Sequence, residues 1–352
     1  MSNVEFILIL VVFIMPGLVW ASKNLLNERW QVLAAIPSQK NHECEHGSWQ
    51  GRNLTFYGVL LANGCLAGAI VFILLCSSIG LSLEVILFLT GIILIVSMAA
   101  ASFLARIIEN KKNTLTVAGG ATVGLYLLPL CIVMISNTEF LQPINLPLIP
   151  IMAATSIGFI LGEGLGRLAC ISFGCCYGKA ISDLSPLVAK VFSGPGCIFH
   201  GHTKKIAYAS QLDGRKVVPI QAMTSFLYVL VAIIAIYLFL ENHFRWALAL
   251  SLIVAMGWRI FSERLRADYR GGGRITAYQF MSMANICFCM ILLGWGGTSQ
   301  GLNPVLSDGL SVFWDPAVIL FLQFIWLVIF FYTGVSKVTG STVTFKVHME
   351  NI

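Results

Sequence analysis

Stretches of about 20 residues, each nearly free of charge, follow one another along this 352-residue chain, and a soluble fold has no place to bury them all. They fall at about residues 4–21, 54–76, 83–105, 116–136, 146–165, 217–240, 246–261, 277–295 and 312–334. In hydrocarbon every backbone N–H and C=O must find a partner within its own segment, so each stretch is expected to be a helix. Hydrophobic residues make up 57% of the chain and charged residues 11%, where soluble domains carry about 25% charged. The expected fold class is therefore all-α integral membrane, with about nine transmembrane helices. The net charge of +6 does not point to nucleic acid, because the cations sit in loops between apolar spans. The first stretch ends in Val19-Trp20-Ala21, which would pass as a signal-peptide cleavage site. It lacks the positive charge that usually precedes such a segment, so a retained helix is expected.

Counting the spans places the loops alternately on two faces. Of the 22 Lys and Arg residues, all but Arg245 fall on the same face. By the positive-inside rule that face would be cytoplasmic and the amino terminus outside. Arginines kept for chemistry bias this count, however, and say little about insertion.

The chain is densest in chemistry between Gly162 and Gly178, at the end of the fifth span. Arg167 stands there among five glycines, which let a ligand or another backbone approach closely. A guanidinium at lipid depth is expensive and usually has a partner or a task. One alternative is an interfacial anchor; the other is a cation that takes the phosphate or carboxylate of a lipid head group. At the end of the seventh span, Arg259 and Glu263 are four apart, which puts them on one helix face, and Arg266, three beyond Glu263, lies close to that face. They are expected either to neutralise one another inside the bundle or to form a second phosphate clamp, with Glu263 orienting Arg259 or acting as a base.

Weaker signals accompany these. Tyr57 enters the second span from the basic face, where interfacial aromatics are common. Gly119 and Gly120 open the fourth span and suit close helix packing. Pro219 starts the sixth span, and Gln221 just inside it should want a polar partner. Two His/Cys clusters, one with His42, Cys44 and His46 and one with Cys197, His200 and His202, offer zinc ligands at spacings that match no strong finger pattern. Polar loop residues are the simpler account of both, and on an oxidising face a Cys44–Cys197 disulfide would compete. No cofactor is expected.

The run from Gly166 to Gly178, with Cys170, Cys175 and Cys176 inside it, resembles the signature of the prolipoprotein diacylglyceryl transferase family, in a branch with a double cysteine. Tyr57-Gly58, Gly119-Gly120, Pro219-Ile220-Gln221, the Arg259, Glu263 and Arg266 set, and residues 275–282 extend the likeness in order over about residues 50–297. The resemblance implies a seven-helix core at 50–297, with a head loop at about 175–216, an extra helix and loop at 1–49 and an extra helix and tail at 298–352. It further implies a multi-pass enzyme of the bacterial inner membrane that transfers the diacylglyceryl group of phosphatidylglycerol to a lipoprotein cysteine thiol. On that pattern Arg167, Arg259 and Glu263 would be catalytic. Tyr57, Gly119, Gly120, Cys170, Cys175, Gly178, Gln221 and Arg266 would line the substrate site.

Three departures from the family matter. Ala118 stands where a histidine precedes the paired glycines, Cys170 and Cys175 replace asparagine and glutamate, and Ala222 and Met223 replace tyrosine and glutamate. The phosphate-binding half is thus better kept than the half that activates the acceptor. Another acceptor or another base, such as Glu263, would follow, and a non-catalytic lipid-binding or transport protein is the alternative. The family's site opens to the periplasm, opposite to the charge count, and the family orientation is the one expected. A phosphatase reporter inserted at residues 179–216 should be active; an inactive fusion with cytosolic labelling of that loop would reject this orientation.

Overall fold

The computed structural model describes residues 1–40, 48–110, 114–136, 146–271, 274–295 and 301–352. In chain order the elements are α1 (Asn3–Asn24), β1 (Val32–Lys40), β2 (Ser48–Thr55), α2 (Phe56–Ser78), α3 (Leu83–Glu109), α4 (Val117–Ser136), α5 (Leu148–Phe173), α6 (Pro186–Phe192), β3 (Cys197–Ile198) and α7 (Lys205–Ser210). They continue with β4 (Lys216–Val217), α8 (Ile220–Leu240), α9 (Phe244–Ser262), α10 (Ala277–Trp295), α11 (Leu306–Ser311), α12 (Pro316–Gly334) and β5 (Val335–Thr344). Among the described residues nine helices are long and apolar enough to cross a membrane, one for each apolar stretch.

Helix ends follow local chemistry. Ser2 and Glu5 close a capping box at the start of α1. Asp315 accepts the N–H of Ala317 at the start of α12, where Pro316 occupies the first turn without losing a hydrogen bond. α5 stops at Gly174, whose φ of 71° is the left-handed conformation that returns its N–H to the carbonyls of Cys170 and Ile171.

α5 is the most buried of the nine. Ile151, Met152, Ala153, Ala154, Ile157 and Ile160 are all buried, so it is covered all round, as a central helix must be. It packs on α2, α8 and α9; α12 lies against α2, α3 against α4, and α10 against α9. The α2–α5 contact is backbone on backbone. A Cβ at Gly68 would stand 2.5 Å from the carbonyl oxygen of Gly158, and one at Gly158 would stand 2.6 Å from that of Gly68. Lipid offers helices no hydrophobic drive to associate, so this close approach, possible only with small residues, is what joins them.

The basic face carries structure beyond helices. β2 is the centre of an antiparallel sheet in the order β1-β2-β5 and runs directly into α2, while β5 runs directly out of α12. The two helix ends meet where Thr55 Oγ1 donates to the carbonyl of Gly334 at 2.9 Å, and a Cβ on Gly58 would come within 2.3 Å of the Gly334 Cα. Residues 174–219 fold over the same face. Lys204, fully buried, donates from Nζ to the carbonyls of Leu25 (3.1 Å) and Ser172 (2.7 Å), tying this head loop to the ends of α1 and α5. Burial pushes its ammonium down to about 8. Backbone bonds from Lys179 to Leu265 (2.8 Å) and from Ala267 to Tyr177 (3.1 Å) lay the segment after α5 beside the end of α9.

Replacing Gly68 by Leu should force α2 and α5 apart, at a cost of about 1–3 kcal/mol or more. Gly17→Leu, where nothing lies within 4 Å, should cost nothing comparable. Thermal unfolding midpoints in detergent check the pair: only the first should fall.

Candidate functional site

One carboxylate organises the polar centre of the bundle. Glu163 lies on α5 with its side chain 2% exposed. Its Oε1 and Oε2 accept from Arg259 Nη2 at 2.6 and 2.5 Å, across from α9. One turn further along α5, Arg167 donates to the same Oε1. The i, i+4 spacing on one helix and the α5–α9 packing therefore bring two guanidiniums onto a single carboxylate. The Nε of Arg167 is buried and has no hydrogen-bond partner, so its fork is only partly used.

The two guanidiniums border a polar cavity of about 220 Å³ at the basic end of the bundle, whose lining includes neither Glu163 nor Glu263. Arg106, Lys205, Arg270 and Lys337 add further positive charge to its wall, against the carboxylates of Glu109 and Asp268. Tyr57, Arg167 and Cys170 also border a second cavity of about 220 Å³, an apolar cleft between α2, α3, α4 and α5. Phe72, Ile93, Met98 and Phe159 are among its walls. A cationic chamber thus opens beside an oily one, with Arg167 at the join.

The remaining wall of the polar cavity comes from the carboxyl-terminal part of the chain. Tyr332, Ser336, Lys337 and Val338 reach it from α12 and β5, and Tyr332 Oη hydrogen-bonds Ser102 Oγ on α3 at 2.7 Å. A second ion network closes the far side. Arg270 reaches Glu263 at 2.9 Å and Glu109 at 3.7 Å, and its guanidinium lies 4.2 Å from the Tyr278 ring centroid. Tyr278 Oη donates to Glu109 at 2.8 Å.

Three cysteines line the polar cavity as well: Cys170 on the last turn of α5, then Cys175 and Cys176 beyond the Gly174 turn. Their sulfurs all lie within 4.8 Å of one another. Cys176 has a φ of 58°. Hydrogen bonds from Cys170 and Cys175, reinforced by Arg266 and Arg167, hold the Cys176 thiol well below the usual thiol range.

Several expected placements change. Arg259 does not pair with Glu263, because α9 ends at Ser262 and tightens into a 3-10 turn at Glu263–Leu265. The i, i+4 register is lost there, and Glu263 swings to Arg270. Arg266 holds Asp268 through Nε and Nη2, both at 2.9 Å, rather than Glu263. Gly119 packs on Leu104 of α3; Gly120 packs on Ser97 and also borders the apolar cleft. Gly178 is pressed against Val218. Gln221 donates to the carbonyl of Cys175 at 2.8 Å, so it braces the cysteine turn from behind. Tyr57, Arg167, Arg259, Cys170 and Cys175 do converge on the cavity.

The sequence reading assigned no role to Glu163, although a carboxylate in an apolar span four residues before an arginine was a signal for it. Of the two His/Cys clusters, His42, Cys44 and His46 lie outside the described residues, and with them any Cys44–Cys197 bond. Cys197 pairs in β3 with Val217, His200 is exposed, and His202 Nδ1 lies 3.5 Å from Glu28. The convergent set of sulfur ligands among the described residues is instead the three cysteines of the cavity.

Removing Glu163 would leave two buried guanidiniums facing one another, so Glu163→Ala should cost about 3–5 kcal/mol, read as a large drop in the unfolding midpoint. Arg167→Ala should cost much less, because Glu163 keeps Arg259 and the pair remains neutral.

A search of the curated proteins finds no match for the chain. The family model described as prolipoprotein diacylglyceryl transferase matches residues 48–295, which takes in the seven crossings from α2 to α10 and every member of the Glu163 centre. A membrane bundle with this ordered signature and this match belongs to the prolipoprotein diacylglyceryl transferase family.

Proposed function

We propose that the protein transfers the diacylglyceryl group of an anionic phospholipid, phosphatidylglycerol by its chemistry, to the thiol of a lipoprotein precursor or another lipid acceptor. The observation that carries this is the junction at Arg167. A phospholipid is an anionic head joined to two apolar chains, and the two cavities that share Tyr57, Arg167 and Cys170 present a cationic and an apolar volume in that order.

The chemistry follows from the placement. The bond that breaks joins the third glycerol carbon to a phosphate oxygen, and negative charge gathers on the departing glycerol phosphate. Arg167 and Arg259, already oriented by Glu163, stabilise that charge without reorganising at the moment of reaction. Tyr57 stands at the boundary where the head group meets the chains. Glu263 is not the base in this scheme, because it is engaged by Arg270 and lies off the cavity. The bacterial inner membrane is the setting, with the cavity opening toward the periplasm, where lipoprotein precursors emerge.

Full-length protein in phosphatidylglycerol vesicles with a cysteine-bearing lipobox peptide should release glycerol phosphate. Arg167→Ala should lower that rate by about a hundredfold to a thousandfold, the usual effect of losing one preorganised donor. Its circular dichroism should match the parent. Lipid that is bound or moved between leaflets without release of glycerol phosphate would instead establish a lipid carrier built on the same bundle, the alternative that Ala118 in place of histidine favours.

A further inference from the structure

The transferase scheme leaves the acceptor thiol without a base. Ala118 offers none, and Glu263 is spoken for. The cavity wall nearest Arg167 offers something else: three sulfurs within 4.8 Å of one another. Zinc–sulfur bonds of about 2.3 Å in a tetrahedron place the sulfurs about 3.8 Å apart, so the three need close by only about an ångström to share one ion.

The backbone is shaped for that convergence. Gly174 ends α5 in the left-handed region, and Cys176, with a φ of 58°, adopts it again where a non-glycine residue does so only at a cost. The two turns fold Cys175 and Cys176 back over Cys170. Gln221, from α8, fixes the turn by its bond to the Cys175 carbonyl. A purely sulfur donor set selects a soft cation such as zinc over magnesium or calcium. Three thiolates and a dication carry one net negative charge, and Arg167 and Lys205 line the same cavity as these sulfurs. All three cysteines border the cavity, which leaves the fourth side of such an ion facing the space where substrates meet. Three protein ligands with one open position is the pattern of a catalytic rather than a structural zinc site.

We propose that Cys170, Cys175 and Cys176 hold a zinc ion that activates the acceptor thiol of this transferase. The inference rests on the function proposed above. The acceptor sulfur takes the open position and its proton passes to solvent, since a coordinating thiol is deprotonated outright. The sulfur lone pair then forms the bond to the third glycerol carbon as the carbon–oxygen bond breaks. That electron pair leaves with glycerol phosphate, whose charge Arg167 and Arg259 hold. The product is a neutral thioether, a weaker ligand than a thiolate, and the next thiol displaces it.

The test uses full-length protein purified in detergent under reducing conditions. Mass spectrometry should find about one zinc per chain, and cobalt exchanged for zinc should give sulfur-to-cobalt charge-transfer absorption. Cys170→Ser and Cys176→Ser should lose both, with unfolding midpoints checked alongside. Cys131→Ser, inside α4, and Arg167→Ala should keep both. Removing zinc with a chelator should abolish glycerol phosphate release, and zinc alone should restore it. Parent protein with neither zinc nor a cobalt band, or with two of the three cysteines joined as a disulfide, overturns the site whatever the transfer assay gives. Transfer that survives complete removal of zinc overturns the activating role. Zinc and a cobalt band in a parent protein that never releases glycerol phosphate overturns the transferase function, and the thiol-activating role with it.

Discussion

The buried contact of Glu163 with Arg167 and Arg259 is the constraint from which the rest of the polar centre follows. Taking each ion out of water costs several kcal/mol, and a close pair at an effective dielectric near 20 returns about 4 kcal/mol. Summed over three ions the penalty is at least as large as the attraction, so the contact contributes little net stability. What it does provide is orientation. Two cations from different helices are held at one depth by a carboxylate that neither can leave cheaply, and one excess positive charge remains for an anion. The membrane heightens this, because a guanidinium facing lipid without such a partner would not be tolerated.

That centre sits where it does because α2 and α5 touch backbone to backbone. Close approach at Gly68 and Gly158 draws α5 into the middle of the bundle. The apolar cleft lies between α2, α3, α4 and α5, and the cationic chamber adjoins it at Tyr57, Arg167 and Cys170. The chamber is roofed by parts far apart in the chain. β5 completes a sheet on β2, and Tyr332 reaches across to Ser102. The wall from Tyr332 to Val338 lies beyond the residues matched by the family model, so this chain builds part of its chamber from a segment outside the family match.

The cysteine turn shows how a family position can be rebuilt. Where the resemblance leads one to expect asparagine and glutamate, this chain has sulfur, and the same helix end and turn now gather three thiols. The histidine missing at Ala118 and the sulfur gained at Cys170 and Cys175 belong to one cavity. On the function proposed above, both departures bear on the acceptor, while Arg167 and Arg259 line the same cavity for the phosphate.

Hydropathy alone determined the membrane class, the number of crossings and the face on which the cations gather, because each depends only on residues within one segment. The glycine-lined Arg167 motif was legible for the same reason. The partners of the charges were not. Whether Arg259 meets Glu263 or Glu163 depends on where α9 stops and on which helix packs beside it. Those are tertiary facts, and spacing along one helix favoured the wrong carboxylate. The pairing of β2 with β5 was missed because the two lie far apart in the chain and meet only where α2 begins beside the end of α12. The convergence of the three sulfurs, likewise, was decided by a left-handed turn at Cys176, which no residue count along the chain reveals.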